Sequence, residues 1–137
     1  MINKKKSPII LRFLFPLFFI GSIIIYVIYN KPHKDFDKSP IEDTIESIDL
    51  ISFYQDNPDN AKTRFLDKII LVIGTITHIE KNIIILDNSI VCTLDPSQII
   101  TNQININNEV SVKGRCIGYD DLLEEVRIDH CFIIKSP

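Results

Sequence analysis

Glycine and cysteine are both scarce: four glycines and three cysteines stand among 137 residues. So little glycine excludes a collagen-like chain, and the absence of heptads excludes a coiled coil. Three thiols are too few for a disulfide-dense scaffold. An apolar content of 45% excludes a disordered chain. The length suits one ordinary domain. Catalytic signatures are missing as well. No HExxH, P-loop, GxSxG or CxxC occurs, so the common metalloprotease, nucleotide-hydrolase, serine-hydrolase and thiol-redox patterns have no foothold. The sequence reads as non-catalytic, with no cofactor and no metal.

Acidic residues are absent from the first 34 positions, which carry Lys4, Lys5, Lys6, Arg12, Lys31 and Lys34 for a net charge of +6. Residues 35–137 hold the other nine Lys/Arg and all eighteen Asp/Glu, a net −9. The two parts are separate physical objects.

Charge is also absent from Phe13 to Tyr29, FLFPLFFIGSIIIYVIY, and Ile9, Ile10 and Leu11 extend this run past Arg12. About 20 apolar helical residues cross a hydrocarbon core of roughly 30 Å. The spacing therefore predicts a transmembrane helix over 9–29. Pro16 would fall in its first turns, and Tyr26 and Tyr29 at the far interface. A basic tip, 1–8, precedes it and should stay cytoplasmic, giving a single-pass protein of the cell membrane with an extracytoplasmic C-terminal domain (periplasmic in a Gram-negative cell). The stretch from Tyr26 to Lys31 offers no small residues for signal cleavage, and no cysteine precedes Cys92 for lipid attachment. The segment therefore reads as an uncleaved signal-anchor. Residues 30–41, with two prolines, read as a linker. Residues 42–137 remain for function.

In that region Thr44 or Ser47 is placed to cap a helix, with Ile48, Ile51 and Phe53/Tyr54 at helical spacing through about Gln55. Asn57-Pro58 predicts a cap and first position of a second helix, to about Leu66. After Asp67 the period changes to that of strands. Strands are expected over Ile69–Ile79, Ile83–Leu86, Ile90–Leu94, Glu109–Gly118 and Val126–Ile134. A short helical or irregular stretch follows the third, and a polar hairpin tip, 119–125, joins the last two. Gly74 inside the first strand suggests a bulge or sharp coil. In the fourth, Val110, Val112 and Gly114 should face inward, and Ser111, Lys113 and Arg115 outward. Three strands, an irregular stretch and two more strands predict a mainly β fold, a five-stranded OB-type Greek-key barrel preceded by short helices.

The stretches KIILVIGTITHI, IVCTL and VSVKGRCIGYDDLLEEVRIDHCFII resemble the tRNA_anti-like OB-fold family. The matching positions are Lys68, Gly74-Thr75-Ile76, Val110 to Cys116 and Cys131, with Leu50, Tyr54, Asn57 and Ala61 in the helical lead-in. The resemblance covers roughly residues 45–134 and implies a small exported or membrane-anchored protein with an OB barrel. The family name alone does not imply tRNA binding.

OB modules that bind nucleic acid use a basic groove and aromatic platforms. Here residues 35–137 are net acidic, and the first three strands contain no Phe, Tyr or Trp. A nucleic-acid partner is therefore disfavoured, and remains the alternative reading. The favoured one is a tethered module binding a protein or small ligand. Its candidate interaction loop is Tyr119, Asp120, Asp121, Leu122, Leu123, Glu124 and Glu125, two leucines among four acids, suited to an apolar pocket with a basic rim. The acids lack the order of a calcium loop. His78 and His130 become neighbours only if the barrel brings them together, and His130 and Cys131 are adjacent in a strand, pointing to opposite faces. Cys116 and Cys131 flank the last hairpin and form the candidate disulfide in an oxidising compartment, about two residues out of register unless a bulge intervenes. Cys92 would stay buried and reduced.

Overall fold

The computed structural model describes residues 7–30, 35–98 and 104–135, with only the backbone described for residues 7–13 and 135. The chain divides into two compact units, Met1–Lys34 and Asp35–Pro137. Most of the basic tip lies outside the described residues, as does part of the irregular stretch after the third barrel strand.

The first unit contains one helix, α1, Ser7–Tyr29, with Pro16 in its interior rather than in its first turns. Its large apolar side chains from Leu14 to Tyr29 are 53–92% exposed. Residues 14–29 cover about 24 Å at 1.5 Å per residue. Among the described residues no helix is long and apolar enough to cross a membrane. The expected helix is present, whereas the membrane crossing expected of it is not shown.

The second unit starts with a strand that the sequence did not suggest. β1, Asp43–Glu46, pairs in parallel with β2, Ile69–Glu80, through Asp43↔Ile70 to Glu46↔Ile73. Thr44 lies in this strand and caps nothing. Helix α2, Ser47–Asp56, begins after Glu46 without a side-chain cap. Its buried face is Ser47, Leu50 and Tyr54, while Ile48 is 66% exposed. The apolar stripe read at Ile48 and Ile51 is thus shifted by a residue, because the helix packs through its larger Leu50–Tyr54 ridge. Helix α3, Pro58–Phe65, starts as expected, with Pro58 at its first turn and the Asn57 side chain accepting from Asn60 N at 3.3 Å. It buries Ala61 and Phe65.

Strands β3, Ile83–Leu86, and β4, Ile90–Leu94, match the expected bounds. Their three-residue connection is Asp87-Asn88-Ser89; Asp87 and Asn88 have positive φ (46° and 60°), and Ser89 N donates to Leu86 O at 3.1 Å. That is a type I′ turn, matched to the twist of paired strands. β5, Glu109–Asp120, and β6, Glu125–Lys135, are slightly longer than expected.

β2 is long enough to serve two partners. Its Ile69–Thr75 half pairs with β5, and its Ile76–Glu80 half pairs with β3. β4 runs parallel to β6, and β6 antiparallel to β5. The order β2-β3-β4-β6-β5 therefore closes on β2, as an OB-type barrel does, with β1 added at one edge. The irregularity in β2 falls between Ile76 and His78, not at Gly74.

Gly74 instead permits a close approach. A β-carbon there would lie 2.7 Å from both Ser47 Oγ and Asp87 Oδ2. Gly114 plays the same role across the barrel, where a β-carbon would lie 2.6 Å from Ile128 Cγ2 and 2.9 Å from Cys131 Sγ. There β6 takes three steps, from Asp129 to Phe132, to span what β5 spans in two, from Arg115 to Lys113, and His130 has φ 48°.

The core joins both layers. Leu50, Tyr54 and Phe65 from the helices pack with Ile70, Val72, Ile84, Val112 and Ile128 from the strands, all at most 1% exposed. Each such side chain contributes about 1.5–3 kcal/mol by leaving water.

Candidate functional site

The β5–β6 hairpin carries the seven residues of the expected interaction loop. Asp120 pairs with Glu125 across the last rung, so the loop proper is Asp121 to Glu124. Asp120 Oδ1 accepts from Leu122 N at 3.0 Å and from Leu123 N at 3.2 Å. This Asx-type closure fixes the backbone of the tip. Arg127 lies 3.6 Å from Asp120 on the neighbouring strand. Glu124 completes the reversal at φ 56°. Leu122 is 94% exposed and Leu123 56% exposed. A shallow hollow of about 430 Å³ beside them is lined by Ile117, Tyr119, Asp121, Leu122 and Arg127, among others. Tyr119 stands apart from the tip. Its ring stacks on Tyr54 at 5.7 Å and anchors the hairpin to α2.

The outer face of β3 and β4 presents Ile83, Ile85, Val91 and Thr93, all half-buried. It has neither rings for base stacking nor cations for phosphate. Several cations elsewhere in the unit are engaged. Arg115 grips Asp129 with two hydrogen bonds, 2.9 Å from Nε and 2.5 Å from Nη2. Arg64 Nε donates to Asp43 at 2.7 Å, and this bond holds the Asp43 carboxyl below its ordinary range. Lys113, expected to face outward into solvent, is only 6% exposed, and its Nζ donates to Asp37 O at 2.6 Å.

The cover over Lys113 comes from residues 35–39, part of the stretch read as a linker. Phe36 stacks on His130 at 4.2 Å and lies 5.5 Å from the Arg115 guanidinium. His130 Nδ1 is 3.3 Å from Asp95. The Asp95 carboxyl is held below its ordinary range, chiefly by the Ser97 hydroxyl and backbone N–H and then by His130. His130 thus faces outward into this strap. His78 belongs to β2 and pairs with Ile85. Among the described residues no group of three or more His, Cys, Asp and Glu is arranged to hold a metal ion.

The three cysteines are free and buried. The expected bridge between Cys116 and Cys131 is not formed. Cys116 sits opposite Ile128, and the β6 bulge carries Cys131 to a place across from Gly114 and beside Leu94 of β4. The bulge considered from the sequence does exist, but it aims Cys131 into the core. Cys116 Sγ instead lies 3.4 Å from Tyr54 Oη. Burial pushes the thiols of Cys116 and Cys131 above their ordinary range, and pushes the Tyr54 hydroxyl up as well.

A second concavity escaped the sequence. A groove of about 640 Å³ lies along β1 and α2, bordered by Arg64 of α3. Its signals were the carboxylates Asp49 and Asp56 flanking Phe53, which helical spacing puts on one stripe. They meant little until β1 was known to lie beside them.

A family model described as tRNA_anti-like matches residues 3–124 of the chain. No curated protein and no solved structure matches it.

Proposed function

Because the chain belongs to the tRNA_anti-like family, we propose that it is a non-catalytic OB-fold binding module, tethered to a membrane by α1 and displaying its barrel on the extracytoplasmic side. The tether reading draws on the full length of α1, 23 residues, about 34 Å at 1.5 Å per residue. It draws also on the four cations that precede Phe13 and on the exposed apolar side chains that follow. The family match begins at residue 3 and so includes this helix.

One observation carries the binding reading: Leu122, 94% exposed, stands on a tip whose backbone Asp120 has already fixed. A preorganised apolar contact loses little conformational entropy on docking. The carboxylates around it favour a protein partner whose apolar pocket has a basic rim. The same carboxylates, and the aliphatic outer face of β3 and β4, oppose a polyanion.

A photo-crosslinking residue at position 122 of the full-length protein, activated in intact cells, tests the reading. The expected result is a discrete protein adduct, with a reporter fused after Pro137 active only in the exported compartment. Nucleic acid in the adduct, or reporter activity in the cytoplasm, would replace it with the nucleic-acid reading.

A further inference from the structure

We propose that the outer face of β5 and β6 around Lys113 and His130 is a docking site for an aromatic-led turn of a partner protein, and that residues 35–39 fill it in cis. The inference is independent of the hairpin tip and of the membrane tether.

The β6 bulge builds the site. Arg115 pairs with Asp129 and Lys113 pairs with Phe132, so these four side chains share the outer face of the hairpin. Between the two rungs β5 has only Gly114, whereas β6 has His130 and Cys131. Cys131 turns into the core, and His130, at φ 48°, stands outward as an additional ring. The result is a slot with the Lys113 ammonium, the Arg115 guanidinium and the His130 ring at its sides and Phe132 at its base. Lys113 and Phe132 are 6% and 8% exposed while the slot is filled.

The occupant is self-contained. Ser39 Oγ and Lys38 N both donate to Asp35 O, at 3.0 and 3.2 Å, and Ser39 N donates to Phe36 O at 3.3 Å. These bonds close the turn on itself. Toward the barrel it offers the Phe36 ring, stacked 4.2 Å from His130 with 13° between the planes and 5.5 Å from the Arg115 guanidinium. It offers also the Asp37 carbonyl, which Lys113 Nζ reaches at 2.6 Å. Among the described residues this is the one hydrogen bond between the turn and the barrel. Asp35, Asp37 and Lys38 stay exposed. The slot therefore asks for little: an aromatic ring and, one residue on, a main-chain acceptor.

Such an attachment is replaceable. A tethered turn acts at an effective concentration of only millimolar order, and a segment with few buried contacts opens at low free energy. An empty slot would return Phe132 to water, which favours exchange of one turn for another over simple opening. Exchange between two copies of this chain gains no contact over the cis arrangement, so the displacing turn belongs to a partner that adds contacts of its own.

The test uses the full-length nitrogen-15-labelled protein in dodecylmaltoside micelles and the peptide acetyl-Asp-Phe-Asp-Lys-Ser-amide, the sequence of residues 35–39. In the Phe36→Ala chain, whose own ring is gone, the peptide should bind saturably and shift the amide signals of Lys113, Arg115 and His130. The parent chain should bind it at least about tenfold more weakly, because its own turn competes. Acetyl-Asp-Ala-Asp-Lys-Ser-amide should not bind. Lys113→Met in the Phe36→Ala background should weaken the Phe peptide at least about tenfold, by removing a charged hydrogen-bond donor. No binding to the Phe36→Ala chain would overturn the proposal. So would equal affinity for the parent and Phe36→Ala chains, which would mean that the peptide sits elsewhere, equal binding of the Ala peptide, or full affinity after Lys113→Met.

Discussion

Replacing Gly74 by alanine is the sharpest test of how the barrel and its helical cover are joined. In an ordinary strand this change stabilises by roughly 0.5–1 kcal/mol, because glycine loses more backbone entropy on folding. At position 74 the structure reverses the sign. The new β-carbon would lie 2.7 Å from Ser47 Oγ, 2.7 Å from Asp87 Oδ2 and 3.0 Å from Ser47 Cβ. These atoms cannot step aside freely. Ser47 Oγ donates to Asp87, and Thr75 N donates to the same carboxylate oxygen at 3.1 Å. Ser47 is 2% exposed and opens α2, whereas Asp87 is locked in the β3–β4 turn. Overpacking a tight site costs about 1–3 kcal/mol. Weakening the two hydrogen bonds to a carboxylate adds about 1–2 kcal/mol. Net of the backbone gain, Gly74→Ala should destabilise by about 1–4 kcal/mol. Guanidinium unfolding of the full-length protein, followed by near-ultraviolet dichroism of its tyrosines, measures this. The sequence has no tryptophan to mask that signal. Introducing Ser47→Ala as well should relieve part of the clash, leaving a coupling of about 1 kcal/mol or more between the two positions. A Gly74→Ala variant within about 0.5 kcal/mol of the parent would refute the argument, since the expected steric term would then be missing.

Other consequences follow from the hairpin, the thiols and the strap. Asp120→Ala should cost about 1 kcal/mol by freeing the two amides of the tip, while Leu122→Lys should leave stability within about 0.5 kcal/mol; a large loss from the second change would mean that Leu122 is packed after all. All three cysteines of unfolded protein should be alkylated without prior reduction. In the folded protein at pH 8, Cys116 and Cys131 should react far more slowly than glutathione, because burial raises both thiols. Rapid labelling, or a mass two protons light with a 116–131 linked peptide, would contradict the geometry. Asp43 and Asp95 are both held below their ordinary range in the folded chain. Their stabilisation should be complete above the unfolded carboxyl value of about 3.9 and vanish as pH falls through the lowered folded values. Asp43→Asn and Asp95→Asn should each flatten the fall of the unfolding midpoint on acidification, and an unchanged acid slope would argue against these bonds.

Much of the barrel was legible because its cues are local. Ile83–Leu86 and Ile90–Leu94 are short apolar runs around Asp87-Asn88, and the structure keeps the same bounds. Asn57-Pro58 announced α3 in the same way. The candidate hairpin was equally visible, since Asp120 closes a turn with its immediate neighbours. The groove was not. Asp43-Thr44-Ile45-Glu46 carries one apolar residue in four, and becomes a strand only because β2, more than twenty residues later, offers it an edge. Lys113 looked like a solvated position on an alternating strand until Asp37 and Phe36 folded over that face.

By itself the sequence determined the period of each segment, the division into a cationic apolar stem and an acidic head, and the five strands in order, because side-chain alternation and turn chemistry act between near neighbours. Only the tertiary structure decided where each thiol lies, that β1 exists, that Gly74 is a point of contact rather than a bend, and where the head is concave. Each of those depends on segments far apart in the chain arriving at one place, and no local pattern encodes that arrival.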